Sequence, residues 1–546
     1  MIADQEPLTE PGPTLLDANQ RFSQSLIWQL QRNYFNQQGV QAWNTGTVPH
    51  YVTSNPFIAN AYSKVIFGFL RDCSQNQQTP LDPTQPIYIV ELGSGSGRFA
   101  YHFLKQFFET YLWSTLRHIP VTYVMTDLAQ QNLDFWQAHP FLRPFIEQGV
   151  LDFAQFDIEQ DQTLTLMNRG ETLSAETLKN PLIAIANYFF DSLPHDIFHI
   201  QGEELYETQV TLTTSNANPN NTDSSPDNPI DNPISIAYND VATVAEGYYA
   251  DPAMNQVLQD YQTQLSNTSL LFPNVGLQGL NILRQISRDR LLFLSADKGH
   301  TNLTDLAGRS NPKPTVHGAF SHGAFSVTVN YHAIARYSEI QGGQALMPDH
   351  LRRSIAICGF LFGTSSHDHI ETYQAYQAAI LHASPDDFFA LKKAIEPHFD
   401  TLTLKQILAY LRFSRWDHKI FLGCFDNLME QVETASDSLC DEIYQAIHNI
   451  WQTYYFIGEE KDLPFHCAML LYKMRYYTEA INYLDCSLEF YGDHPGVLYN
   501  QAVCYLHLKS PEQSLASLDR ALNVDPQFEA AQALKGKVEK QSKIQN

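Results

Sequence analysis

Apolar positions follow a helical rhythm near the start of the chain, with Ile27, Leu30 and Tyr34, then Phe57, Ala61, Val65 and Phe69, three or four residues apart. A polar turn at 48–56 interrupts it. Ile87–Val90 is a short β-branched run suited to a buried strand. Phe99, Phe103, Phe107 and Tyr111 then recur every four residues and predict the inner face of a helix. Further strands are expected at Val121–Asp127, Val150–Phe156, Leu182–Ala186 and Arg290–Gly299, with a later one at Phe325–Tyr331, a hairpin over Asp196–Leu212 and a helical stretch from Val241 to Ile286. Strands alternating with helices predict an α/β fold with a Rossmann-like sheet and helical insertions. Past about residue 385 only the helical rhythm remains, so an all-α domain closes the chain.

This pattern divides the chain into a flexible arm at 1–20, a helical cap at 21–85, a sheet domain at 86–375, a helical connector at 385–460 and a helical tail at 461–546. Residues 213–235 are crowded with Asn, Asp, Ser and Pro, the composition of a mobile surface loop. At 546 residues the chain exceeds one ordinary core.

A formal net charge of −25 argues against a general binder of phosphate backbones. The seven cysteines are scattered without a C-x-x-C pair, which suggests a reducing interior and no disulfide framework. No apolar run approaches the ~18 residues that span a bilayer, and the start of the chain lacks the order of a secretion signal. A cytoplasmic protein is expected. His317 and His322, and His367 and His369, complete no ligand set, so no metal site is expected.

The chemistry gathers at Glu91-Leu-Gly93-Ser-Gly95-Ser-Gly97-Arg98. Alternating glycines let the backbone take positive φ and leave no side chain between main chain and ligand, while the following helix offers free N–H groups. Arg98 makes the spacing G-x-G-x-G rather than G-x-G-x-x-G, which disfavours a dinucleotide and suits an adenosine-type cofactor without a pyrophosphate. Asp127, at the tip of the second strand, is placed to accept both ribose hydroxyls, although an acid after a strand also serves as a turn or N-cap residue. Asn187 and Asp191 lie at the end of the fourth strand, where α/β sites are built.

The glycine stretch resembles motif I of class I S-adenosylmethionine (SAM) methyltransferases. Together with Tyr51-Val-Thr-Ser-Asn-Pro56, Asn187-Tyr-Phe-Phe-Asp191-Ser-Leu-Pro194 and Ser295-Ala-Asp297-Lys-Gly299, it resembles the MidA-type family, related to the mitochondrial protein-arginine methyltransferases that assist complex I assembly. The resemblance covers roughly residues 25–370. It implies SAM as cofactor, with Glu91, Gly93, Gly95, Gly97, Asp127 and Asp157 as cofactor-binding residues, Asp157 at the adenine amine, and Asn187, Asp191 and Asp297 as catalytic residues. Two positions depart from the family pattern: Tyr188 replaces a glutamate, and Ala324-Phe-Ser-Val-Thr328 lacks the family's aspartate and histidine.

Residues 461–494 and 495–528 match at an offset of 34, pairing Ala468 with Ala502, Ala480 with Ser514 and Leu484 with Leu518. They resemble tetratricopeptide (TPR) repeats, with residues 529–541 as a capping helix. The combination implies a SAM-dependent methyltransferase acting on a protein, with arginine nitrogen as one candidate acceptor and the repeats recruiting a partner. A second expectation is a weak or inactive methyltransferase-fold scaffold or assembly factor. Oligomeric state is left open.

Overall fold

The computed structural model describes residues 14–44, 48–214, 234–309, 316–319, 324–350, 354–363 and 369–545. The chain forms two compact units, 1–389 and 390–546.

The first unit contains strands β1 (Thr14–Arg21), β2 (Ile87–Leu92), β3 (Val121–Asp127), β4 (Leu151–Gln155), β5 (Leu182–Asn187), β6 (Asp196–Gln201), β7 (Glu204–Thr214), β8 (Ile234–Thr243), β9 (Thr268–Phe272), β10 (Leu291–Asp297), β11 (Gln344–Leu346) and β12 (Ala356–Phe362). Seven of them form one sheet in the order β11-β12-β10-β5-β2-β3-β4. Neighbours from β10 to β4 run parallel, with Ile89 opposite both Ile183 and Tyr123, while β12 runs antiparallel to β10 and β11. Order reverses between β2 and β5, and the carboxyl ends of these two strands frame the crevice where ligands of such sheets bind. Central strands such as Ile-Tyr-Ile-Val-Glu-Leu are buried throughout, because helices cover both faces.

The helices of this unit include α1 (Leu26–Gln38), α2 (Pro56–Gln75), α3 (Arg98–Tyr111), α4 (Pro252–Gln264), α5 (Asn274–Ser287), α6 (Tyr331–Ile340) and α7 (Ile370–Tyr376). Asn55 caps α2 by accepting from the amides of Phe57 and Ile58 at 3.0 and 3.1 Å, with Pro56 in the first turn. Along α2, Ile58, Tyr62, Val65, Ile66 and Leu70 are fully buried. At Gly68 a Cβ would lie 2.5 Å from the carbonyl oxygen of Glu371, so only glycine lets α7 approach. One turn on, Asp72 accepts from the amides of Glu371 and Thr372 at 3.1 and 2.8 Å and from the Thr372 hydroxyl at 2.6 Å.

Three expectations change. The arm expected at 1–20 is a strand from Thr14 onward, because β7 offers its free edge to β1, which pairs from Thr14 opposite Thr214 to Arg21 opposite Gln209 with register shifts after Leu15 and after Asp17. The helical stretch expected at 241–286 contains the end of β8, then α4 and α5 with β9 between them; β9 is fully buried and pairs with β6. Together β1, β7, β6, β9 and β8 make a second, antiparallel sheet. The strand expected at Phe325–Tyr331 is two short pieces, Ala324–Val327 and Val329–Asn330, and Tyr331 already opens α6, where the Asn330 side chain caps Ala333. The strand that completes the large sheet is β12, whose unbroken apolar run carries no alternation. The loop expected at 213–235 lies outside the described residues from 215 to 233, and so do His322 and His367.

The second unit is helical. Its last five helices are α8 (Leu463–Lys473), α9 (Tyr477–Tyr491), α10 (Pro495–His507), α11 (Pro511–Val524) and α12 (Glu529–Gln545). Ala468, Ala480, Ala502 and Ser514 are fully buried, small residues where helices cross. Gln501 donates to Asp485 at 2.6 Å and accepts from Ser517 at 2.8 Å, a polar ladder across α9, α10 and α11. Gly492 ends α9 with φ 81°, where the second copy has Pro526.

Replacing Asp72 by Ala strands three donors, the two from Thr372 buried. We expect it to destabilise the first unit by about 2 kcal/mol or more, read as a lower midpoint of its transition in scanning calorimetry, with Asp72→Asn costing less.

Candidate functional site

The turn between β2 and α3 is held by its neighbours. Gly93, Gly95 and Gly97 take φ of 62°, 53° and 78°, a conformation open to glycine at little cost. Asp127 accepts from the Gly95 amide at 3.1 Å and from the Ala129 amide at 3.0 Å, so the end of β3 clamps the turn after β2. Ser94 donates to the carbonyl of Thr126 at 2.8 Å, and the Trp136 indole donates to the Gly95 carbonyl at 3.0 Å. Burial pushes the Asp127 carboxyl up, against the pull of the donors it accepts from.

The turn opens on a cleft of about 300 Å³. Its walls bring together Glu91, Gly93 and Gly95 from the turn, Asn187, Tyr188 and Asp191 from the end of β5, Lys298 after β10, and Phe35, Trp43, His50, Thr53 and Ser54 from the segments ahead of the sheet. Glu91 is buried, and its Oε2 accepts from the Tyr123 hydroxyl at 3.0 Å. Burial raises its pKa from the usual carboxylate range to about 8, with the negative neighbour Asp127 adding to it and the Ser94 and Tyr123 hydroxyls opposing it.

Asn187 is oriented by two partners. The Tyr62 hydroxyl of α2 donates to its Oδ1 at 2.8 Å, and its Nδ2 donates to the Thr53 carbonyl at 3.4 Å. Asp191 stands on a single 3-10 turn, Phe190–Ser192, where its amide donates to Asp297 Oδ2 at 3.0 Å and its Oδ1 accepts from the Ser192 hydroxyl at 3.0 Å. Burial raises both carboxyls, Asp297 the more strongly, with the charge of Asp191 adding to the effect there. Two buried carboxyls side by side resist ionising together. Asp191 faces the cleft, and Asp297, fully buried, stands behind it.

Of the residues expected from the sequence, Glu91, Gly93, Gly95, Asn187 and Asp191 line the one cleft. Asp127 works on the Gly95 backbone beside it. Gly97 caps α3 in the left-handed conformation. Asp157 is engaged elsewhere: Arg32 of α1 bridges both of its carboxylate oxygens and reaches Glu159 as well. Arg98 is buried, with its guanidinium 3.0 Å from His50 Nε2.

Tyr62, Phe35, Trp43 and Lys298 were not expected at the site. Tyr62 reads as one more apolar position of α2, and Phe35 and Trp43 as ordinary core aromatics, so no local signal separates them. Tyr188 takes φ 47°, an uncommon conformation for a bulky residue. Among the described residues no group of three or more His, Cys, Asp or Glu is arranged to hold a metal ion, and no helix is long and apolar enough to cross a membrane.

Residues 71–277 match the profile of a family described as "Putative S-adenosyl-L-methionine-dependent methyltransferase", and residues 471–538 match a tetratricopeptide repeat. Among solved structures, the chain is similar to an uncharacterised protein from Burkholderia thailandensis at 10% identity, covering 64% of this chain and 89% of that one with a TM-score of 0.39. It is also similar to a protein of the same superfamily and organism bound to S-adenosyl-homocysteine, at 12% identity, covering 60% of this chain and 73% of that one with a TM-score of 0.36. No curated protein matches the chain.

The raised pKa of Glu91 sets a pH dependence. The folded protein keeps this proton up to about 8, whereas an unfolded glutamate releases it near 4.5. The stability it contributes is complete below the unfolded value and is lost as pH rises through the folded one. Glu91→Gln should therefore flatten the decline of the thermal midpoint between about pH 5 and pH 9, and an unchanged slope would remove Glu91 as its source.

Proposed function

For a chain that carries a SAM-dependent methyltransferase domain ahead of tetratricopeptide repeats, we propose methylation of a protein, at a nitrogen, with the repeats recruiting the partner. The observation that carries the reading is Asp191, backed by the Asp297 carboxylate that accepts from its amide, facing the same cleft as the glycine turn. The residues fit the cofactor: Glu91, Gly93 and Gly95 line one cleft, and glycine at 93 puts no side chain between the main chain and a ligand. Glu91 is an acid suited to the ammonium of the cofactor's amino-acid end.

When bound, the cofactor supplies an electrophilic methyl group. What this chain adds is alignment and proton handling. Glu91 ionises beside a positive charge, so binding below about pH 8 releases a proton. Asn187, with its carbonyl oxygen occupied by Tyr62, presents N–H to the cleft. Asp191 accepts a hydrogen bond from an acceptor N–H, and as a carboxylate it can take that proton when the nitrogen becomes bonded to the methyl carbon. Asp297, raised the more strongly by burial and by the charge of Asp191, holds its proton more firmly than Asp191 does, and a carboxylate at Asp191 suits a cationic acceptor such as a guanidinium. Arginine is thus one candidate. The stacked helix pairs support a protein acceptor, since such arrays expose extended surfaces to protein segments. Seven free cysteines fit a reducing, cytoplasmic setting.

The alternative reading, a scaffold with weak or no catalysis, is favoured by Tyr188 standing where the related family has an acid. Incubation with methyl-labelled SAM and cell extract separates the two. We expect labelled protein with the wild type and about 100-fold less with Asp191→Asn, while S-adenosyl-homocysteine binds both alike in calorimetry. Equal labelling by wild type and Asp191→Asn would remove Asp191 from catalysis, and no labelling at all would favour the scaffold.

Recruitment has its own readout. Excess residues 390–546, added as a separate polypeptide, should slow labelling by competing for the partner. An unchanged rate would take recruitment out of the reading.

A further inference from the structure

We infer that Phe35 and Trp43, carried by the segment ahead of the sheet, hold the adenine ring of the cofactor, and that Asp157 anchors this segment instead of reading the adenine amine. The inference rests on the methyltransferase reading above and names the residues that recognise the base.

The first observation is where Asp157 spends its oxygens. Arg32 bridges Oδ1 and Oδ2, and Oδ1 also accepts from the Glu159 amide at 3.0 Å. Burial works against the charge of Arg32, and the Asp157 and Glu159 carboxylates more than offset it, so the guanidinium is held more firmly protonated than usual. An adenine amine would have to compete with a bidentate, charge-assisted pair. Asp157 is also outside the cleft wall, whereas Phe35 and Trp43 are in it.

The second observation is what the anchor positions. Arg32 and Phe35 are three residues apart on α1 and so share one face. The Arg32 bridge to Asp157, at the end of the strand next to the turn's own neighbour β3, therefore brings Phe35 to the side of the cleft where the adenosyl end of a ligand belongs. Phe35 stacks on Trp43, with ring centroids 5.9 Å apart and planes at 25°. Trp43 meets the glycine turn with its benzo edge: Cζ2 and Cη2 lie 2.8 and 3.1 Å from where a Gly95 Cβ would be. Gly95 thus admits the indole. The result is an aromatic wall fixed at one end by Gly95 and at the other by the Arg32 anchor.

Aromatic walls bind a base through its π-face, and they are indifferent to its exocyclic groups. This separates the two modes of recognition. The full-length protein is titrated calorimetrically with S-adenosyl-homocysteine and with S-inosyl-homocysteine, in which a carbonyl oxygen replaces the adenine amine. We expect the wild type to bind both within a few-fold. Trp43→Leu should weaken both by about tenfold or more and leave their ratio unchanged, and Phe35→Leu, which keeps an apolar side chain in place, should act in the same direction. Asp157→Asn should weaken both ligands equally, by loosening the anchor.

Wild-type affinity in both Trp43→Leu and Phe35→Leu would overturn the inference. A strong wild-type preference for S-adenosyl-homocysteine that vanishes in Asp157→Asn would also overturn it, because it would make Asp157 the reader of the amine. If the wild type binds neither ligand, the methyltransferase reading falls with it. Thermal midpoints of the variants separate lost binding from lost folding.

Discussion

The clamp of Asp127 on the Gly95 amide ties together the two strands on which the site depends. Three glycines with positive φ would by themselves make the turn after β2 a mobile loop, since glycine has the most conformational freedom to lose. The bond from β3 removes that freedom. Trp136 and Thr126 hold the same turn through its carbonyl and amide, so the ligand-facing backbone is rigid before anything binds. A carboxylate that completes two backbone hydrogen bonds beside the cleft, in a buried setting, works as part of the scaffold whatever else it touches. Preorganisation of this kind reduces what a ligand must spend on ordering its site.

The central sheet was legible because its strands are short apolar runs broken by turn signals, and because polar residues at their carboxyl ends stand out against the run. Glu91, Asn187 and Asp191 were found by that contrast. β12 was missed since Ala-Ile-Cys-Gly-Phe-Leu-Phe is buried on both faces and shows no alternation. β1 was missed for the opposite reason. It is mostly exposed and pairs with a strand nearly 200 residues away, a partnership that no local window contains.

Within the site the division is similar. Backbone-driven features could be read from spacing, whereas side chains that converge from distant segments could not. Tyr62 orients Asn187 across 125 residues, and Arg32 takes Asp157 across another 125. Nothing about either residue in its own neighbourhood marks it. The pairing of Asp191 with Asp297 was visible only as two separate motifs, and the hydrogen bond from the Asp191 amide to the Asp297 carboxylate emerged from the fold.

The junction of α2 with α7 has a consequence for the order in which the molecule is made. Gly68 and Asp72 find their partners at residues 371 and 372, about 300 positions later. At ribosomal rates of about 5–20 residues per second, α2 waits roughly 15–60 s for α7 to be synthesised. Throughout that interval the buried apolar face of α2 lacks one of its coverings. A nascent chain of this design can complete the packing around α2 only after α7 has emerged.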